Sequence, residues 1–313
     1  MELSWINKLR IAAVGALGVI VLGLWAWPLA APADPLSPVR AWSVSPLGTI
    51  ALLVLAFGLG FVSYFLAWPH GREMGILAVP FGLTVWACRG GPMRVLTQAC
   101  KQPSEREALA FSLWFEPFYW LLPVAAGFAG VLLAQHLRRA LNATAGVGDA
   151  PERRDEGENL RTSGARAVLP SYLLSGLLAL VAAVLLGQFF VGAFAQDVAT
   201  SRNVTPTQPA VGQIIFAVMA AFAVAAFVVK KFGNLSYIWP IVGSAFLTVF
   251  AQALYWNSET VRQFAETQPA TFFPHSALTI LPIQFVALGT LGSILGYWIA
   301  VRYDWWREHE STA

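Results

Sequence analysis

Eight apolar runs free of Asp, Glu, Lys and Arg fill most of this 313-residue chain, at 11–27, 47–68, 74–88, 117–136, 168–194, 211–229, 235–256 and 277–301. Runs of this kind leave few choices. Hydrocarbon offers no water to the backbone, so a chain crossing it pairs every amide internally, as helices or as a closed barrel. Barrel strands alternate apolar and polar residues, whereas these runs are continuous and mostly reach the length of a crossing helix. With 57% hydrophobic residues, 12% charged and a mean hydropathy of +0.60, the chain is too apolar for a soluble domain. The expected fold is all-α: a polytopic membrane protein of about eight transmembrane helices, the third run being the shortest.

A set of markers occurs twice. Asp34, Arg40, Pro46, Pro80, Pro117 and Pro123 are followed, each about 160 residues on, by Asp197, Arg202, Pro209, Pro240, Pro274 and Pro282. This predicts a tandem duplication: a four-helix membrane repeat over 1–141, a flexible charged linker over 142–166 and a second four-helix repeat over 167–313. An even number of spans per copy gives both the same orientation, with a pseudo-twofold axis along the membrane normal. Lys8, Arg10, Arg72, Arg138, Arg139, the linker arginines, Lys230, Lys231, Arg302 and Arg307 then share one side. The positive-inside rule makes that side, and both termini, cytoplasmic in a cell inner (plasma) membrane. Lys8, Arg10 and Ala31-Pro32-Ala33 loosely follow a secretory signal. However, the apolar run exceeds a usual signal core, and its loss would unbalance the two copies.

Several chemistries lack their residues. The net charge of +3 is scattered over span ends and forms no face for nucleic acid. There is no GxSxG, HExxH, Walker loop, GxGxxG, CxxC or CxxCH. No ionisable side chain lies mid-span, which argues against a proton pump. His70, His136, His275 and His309 lie near span ends or in the tail. Only His70 and His136 share a depth, and interfacial histidines are commoner than axial haem ligands. No cofactor, metal site or catalytic residue is expected, and the abundant Trp at span ends is assigned to anchoring.

The candidate functional residues are therefore few. Asp34, Arg40, Asp197 and Arg202 follow spans one and five. They are either local loop charges or a ring around an outer vestibule that selects a solute or docks a partner. Pro80, Pro123, Pro240 and Pro282 would each kink a span and free the carbonyls of Ile76, Tyr119, Ser236 and Leu278, opening a cavity lined also by Gln252 and Gln284. Glu116, ahead of Pro117, is expected to complement a helix N-terminus at headgroup level. Cys88 and Cys100 are a possible disulfide across an outer loop. Ser104 and Glu107 have capping-box spacing for a short surface helix, and Gly289, Gly292 and Gly296 offer a small-residue packing face.

Three function classes follow. A structural or scaffolding subunit of a membrane protein complex is favoured by the neutral spans. Its partners would be the lipid bilayer and other membrane subunits, held through the outer loops 90–115 and 257–273. A permease for a small neutral or weakly polar solute is the alternative, favoured by duplication and symmetric kinks. An enzyme on lipid-linked substrates comes third, because it needs acid and base groups clustered at one interface.

Overall fold

The computed structural model describes residues 5–100, 102–144, 165–195, 209–256 and 276–310. All regular elements among them are helical: α1 (Trp5–Gly18), α2 (Pro46–Leu66), α3 (Gly71–Gly75), α4 (Ala78–Arg89), α5 (Met93–Ala99), α6 (Pro103–Thr144), α7 (Ala165–Phe194), α8 (Val211–Gly233), α9 (Ile238–Trp256) and α10 (Pro282–Glu310). Six segments are long and apolar enough to cross a bilayer: Trp5–Trp25, Pro46–Leu66, Ser104–Asn142, Tyr172–Phe194, Val211–Gly233 and Pro282–Arg307. The chain is a polytopic α-helical membrane protein. The third expected span falls short of that length: helix α4 has 12 residues, about 18 Å at the α-helical rise. In the seventh, Ile238–Ala253 form a shorter apolar helix among the described residues, within the 19 residues of α9. The linker expected over 142–166, apart from its first and last few residues, lies outside the described residues.

Local chemistry sets the ends. Ser45 caps α2 by accepting the Gly48 N–H at 3.0 Å, with Pro46 at the first helical position, where its missing N–H costs nothing. Asn234 ends α8 in the left-handed region at φ 48°, a conformation Asn tolerates, and Lys230 and Lys231 lie in the last turn. At the start of α10, the Gln284 side chain accepts the Leu281 N–H at 2.9 Å, reaching back from the third helical residue to the cap as in a capping box. Helix α1 continues into a π-helical turn, Val19–Trp25. The Gly23 carbonyl there accepts the buried Trp86 indole N–H at 3.1 Å.

The prolines expected to kink spans mostly begin helices instead. Pro80 and Pro240 stand in the first turns of α4 and α9, and Pro282 opens α10. First-turn amides have no intrahelical partner, so these prolines need no kink. The Ser236 carbonyl is not freed either, since it accepts the Trp239 N–H. Only Pro123 is interior, and Pro117 joins it inside α6. The surface helix expected around Ser104 is the first part of that same 42-residue helix. Its cap lies two residues earlier than expected, with Glu105 accepting the Gln102 N–H at 3.1 Å.

Helices α2 and α6 pack extensively and run parallel. Thr49 meets Tyr119 at 2.9 Å near one end, and Gly60 meets the Gly127 backbone further along. Helices α8 and α10 pair in the same sense, through Met219 with Gly292 and Ala223 with Gly296. Helix α1 lies along α4, and α7 packs on α8 and α9. Contacts between the N-terminal and C-terminal helices run through α4 with α10, α6 with α9 and α6 with α10. Phe118 of α6 stacks edge-on against Phe246 of α9 at 5.3 Å, and Phe128 against Tyr237, just before α9, at 6.1 Å, so α6 and α9 are antiparallel. One apolar core spans this junction, joining Trp86, Trp120 and Leu83 to Ile241, Leu281 and Val286.

Candidate functional site

At the end of the bundle opposite the linker, the segment between α1 and α2 crosses the first turns of α6. Arg40, extended at φ −124°, turns its side chain onto α6. Its Nε donates to Glu116 Oε1 at 2.7 Å and its Nη2 to Ser112 Oγ at 2.6 Å. Glu116 is 1% exposed and Arg40 21%, so the pair is largely shielded from water. The Ala41 backbone N–H also donates to Glu116, and the Ser112 hydroxyl donates to the Leu109 carbonyl at 2.6 Å. Each polar group is answered by another, as burial requires.

Beside this pair lies a groove of about 350 Å³, lined by Arg40, Trp42, Cys100, Glu105, Ala108, Leu109 and Ser112. Arg106, buried on the same helix, holds the wall in place by donating from Nε and Nη2 to the Cys100 carbonyl at 3.1 and 3.2 Å. Burial and the Glu105 carboxylate push the Cys100 thiol above its usual value, while the guanidinium groups of Arg106 and Arg40 pull the other way. Trp42 is 68% exposed at the mouth, and Trp25, Phe111 and Phe115 are exposed at the same end.

The expected site residues separate. Arg40 lines the groove, but its ionic partner is Glu116 and not Asp34. Asp34 is exposed and folds its own turn, accepting from the Leu36 N–H at 3.1 Å and the Ser37 hydroxyl at 3.2 Å. Glu116 is not a helix-start acid, because α6 begins at Pro103. Cys88 and Cys100 are half-buried free thiols. Asp197, Arg202 and the loop 257–273 lie outside the described residues, while the loop 90–115 contains α5 and the start of α6.

The cavity residues occupy the interior. Gln284 is 4% exposed and bonded through both its oxygen and its nitrogen, its side-chain amide donating to the Ala87 carbonyl at the end of α4 at 3.1 Å. It therefore fastens α10 to α4. Gln252 is buried on α9 one turn after Thr248, whose hydroxyl has no partner among the described residues. Among the described residues, His, Cys, Asp and Glu form no group of three that could hold a metal. Sequence reading missed the pairing of Glu116 with Arg40 and the roles of Ser112, Trp42 and Glu105. The available signal was Glu116 itself, the carboxylate nearest an apolar run. The chain matches no known protein-family model, no curated protein and no solved structure.

Proposed function

We propose that this chain is a non-catalytic subunit of a membrane protein complex, built from two tandem copies of a four-helix unit with both termini cytoplasmic. The observation that carries the scaffold reading is how the interior polar side chains are used. Gln284 caps α10 and ties it to α4, while Thr290 and Ser293 return their hydroxyls to carbonyls of their own helix at 2.6 and 2.7 Å. Side chains engaged in this way fix helices and leave little for a solute.

The duplicated eight-pass topology draws support from matched geometry. Pro80 and Pro240 hold the same first-turn position in α4 and α9. The second and fourth helices of each copy lie parallel with glycine contacts, and the third helix of each copy packs on the fourth of the other. Because α2 and α6 are parallel, the chain between them must return across the bundle. That supports reading α4 as a crossing element despite its length, and the same argument applies to α9 between α8 and α10. The linker-end cations, Lys8, Arg10, Arg72, Arg138, Arg139, Lys230, Lys231, Arg302 and Arg307, support a cytoplasmic placement of that end.

Native mass spectrometry of the protein, gently extracted from its own membrane, tests the reading. A stoichiometric protein partner that is lost on deleting 93–99 is the expected result. A chain without a partner that moves a small neutral solute into proteoliposomes would replace it with the permease reading, for which the unpartnered Thr248 hydroxyl beside Gln252 is the supporting observation.

A further inference from the structure

We infer that the seam between the N-terminal and C-terminal helices, at the linker end of the bundle, binds an anionic phospholipid, with the Lys230 ammonium group on its phosphodiester. Two tyrosines mark the seam: Tyr237, just before α9, meets Tyr297 of α10 edge-on at 5.2 Å. The Lys230 ammonium, in the last turn of α8, stands 5.4 Å from the centre of the Tyr297 ring and donates to Asn234 Oδ1 at 2.5 Å. Arg72 and Glu73 of α3 lie close enough to the Tyr237 phenol to act on it electrostatically, so elements of both halves share the seam. A lysine ammonium has three protons to donate. Asn234 takes one and the Tyr297 ring face attracts the cation, which leaves Lys230 with a donor to spare and no carboxylate partner among the described residues.

Charge selects the class of lipid. Arg72 and Glu73 are adjacent on α3 and cancel, while Lys231 is bonded to Asp304 and lies over the Tyr303 ring at 4.5 Å. Three cations therefore face two carboxylates around the seam, with Lys230 as the surplus. The wider end has the same sign: its nine cations named above exceed Glu2, Glu73, Asp304, Glu308 and Glu310, and the linker's five carboxylates and four arginines nearly cancel. A monoanionic phosphodiester neutralises the surplus, whereas a zwitterionic headgroup adds an ammonium group for which no surplus carboxylate exists. Position favours a lipid over a soluble phosphate. Exposed Phe232, Tyr303 and Trp306 mark the headgroup level, and exposed Ile238, Leu295 and Ile299, on the helices beside the tyrosines, offer acyl chains an apolar path. Basic pockets between crossing helices are where such headgroups are held. The inference does not rest on the scaffold reading, because a permease or an enzyme with this seam would retain the same lipid.

The test is native mass spectrometry of the full chain ejected from nanodiscs of equal phosphatidylglycerol and phosphatidylethanolamine, which present the same lipids to both ends of the bundle. Phosphatidylglycerol should be retained in preference by about five-fold, the factor that one basic residue at an anionic lipid supplies. Lys230→Gln should bring the ratio close to parity, and Lys230→Arg, which keeps the charge, should preserve it. Arg139→Gln removes a cation of the same end that lies about 16 Å along α6 from Phe128, the residue that meets Tyr237, and should leave the ratio unchanged. The proposal is overturned by equal retention of the two lipids, by Lys230→Gln and Arg139→Gln acting alike, or by Lys230→Arg behaving as Lys230→Gln does. Thermal stabilisation by inorganic phosphate or glycerophosphoglycerol equal to that given by phosphatidylglycerol would also overturn it, in favour of a soluble phosphate.

Discussion

At the scale of single residues, the shielded Arg40–Glu116 pair dominates the far end. Removing one member of such a pair leaves the other charge uncompensated, which costs more than the pair itself contributes. Arg40→Gln should therefore lower stability by about 3 kcal/mol, whereas the double variant Arg40→Gln, Glu116→Gln should recover more than half of that loss. Thermal unfolding in detergent reads both, and strictly additive single effects would count against the coupling. The thiol beside the pair gives a second test. Because the Cys100 value is raised, the neutral thiol persists to higher pH than in a free cysteine. Alkylation at pH 8 should then lag behind a peptide thiol and catch up as pH rises, and Glu105→Gln should hasten it by removing one of the raising influences. The pairing was illegible in the sequence because 76 residues separate its members and Asp34 stands closer to Arg40 in the chain. Only folding α6 alongside the segment before α2 brings Glu116 to it.

Among helices, the glycine contacts decide how closely the chain packs. A Cβ placed at Gly60 would overlap the Gly127 carbonyl, and one at Gly296 the Ala223 carbonyl, both of them backbone atoms unable to swing aside. Gly60→Ala and Gly296→Ala should each destabilise by about 1–3 kcal/mol, the usual cost of overpacking. Gly58→Ala offers the contrast, since nothing lies within 4 Å of its Cβ position. It should be neutral or stabilising by up to about 1 kcal/mol through helix propensity. If all three variants unfold at the same temperature, α2–α6 and α8–α10 are not held by these approaches. The packing role of Gly292 and Gly296 could be read from their spacing. The prolines misled because an apolar run does not mark where its helix begins, so a first-turn proline in α4 or α9 looks like one in mid-span. The cap of α6 was misplaced for a related reason, with Gln102 and Glu105 doing what the Ser104 and Glu107 spacing promised.

For the molecule as a whole, membrane residence was legible because lipid excludes charge from eight runs and no other environment explains them. The number of crossings was harder, since α4 is much shorter than the bilayer core and the direction of α4 and α9 depends on how neighbouring helices lie. The proposed two-copy design makes a demanding prediction at this scale. If the copies are separate folding units joined by the linker, the chain should tolerate a break between residues 150 and 151. The halves should then reassociate when expressed together, because α4 meets α10 and α6 meets α9 across a shared apolar core. Co-purification of tagged 1–150 with untagged 151–313 is the expected outcome. Gln284→Leu should weaken that association, because it removes the bond to the Ala87 carbonyl and the cap on α10 together, a loss on the order of 1–3 kcal/mol. In the covalently linked chain the same substitution should cost less apparent function, because the linker keeps the local concentration of the two halves high. Halves that never co-purify, although each inserts in the membrane, would count against the two-copy design and mean that the bundle folds as one unit.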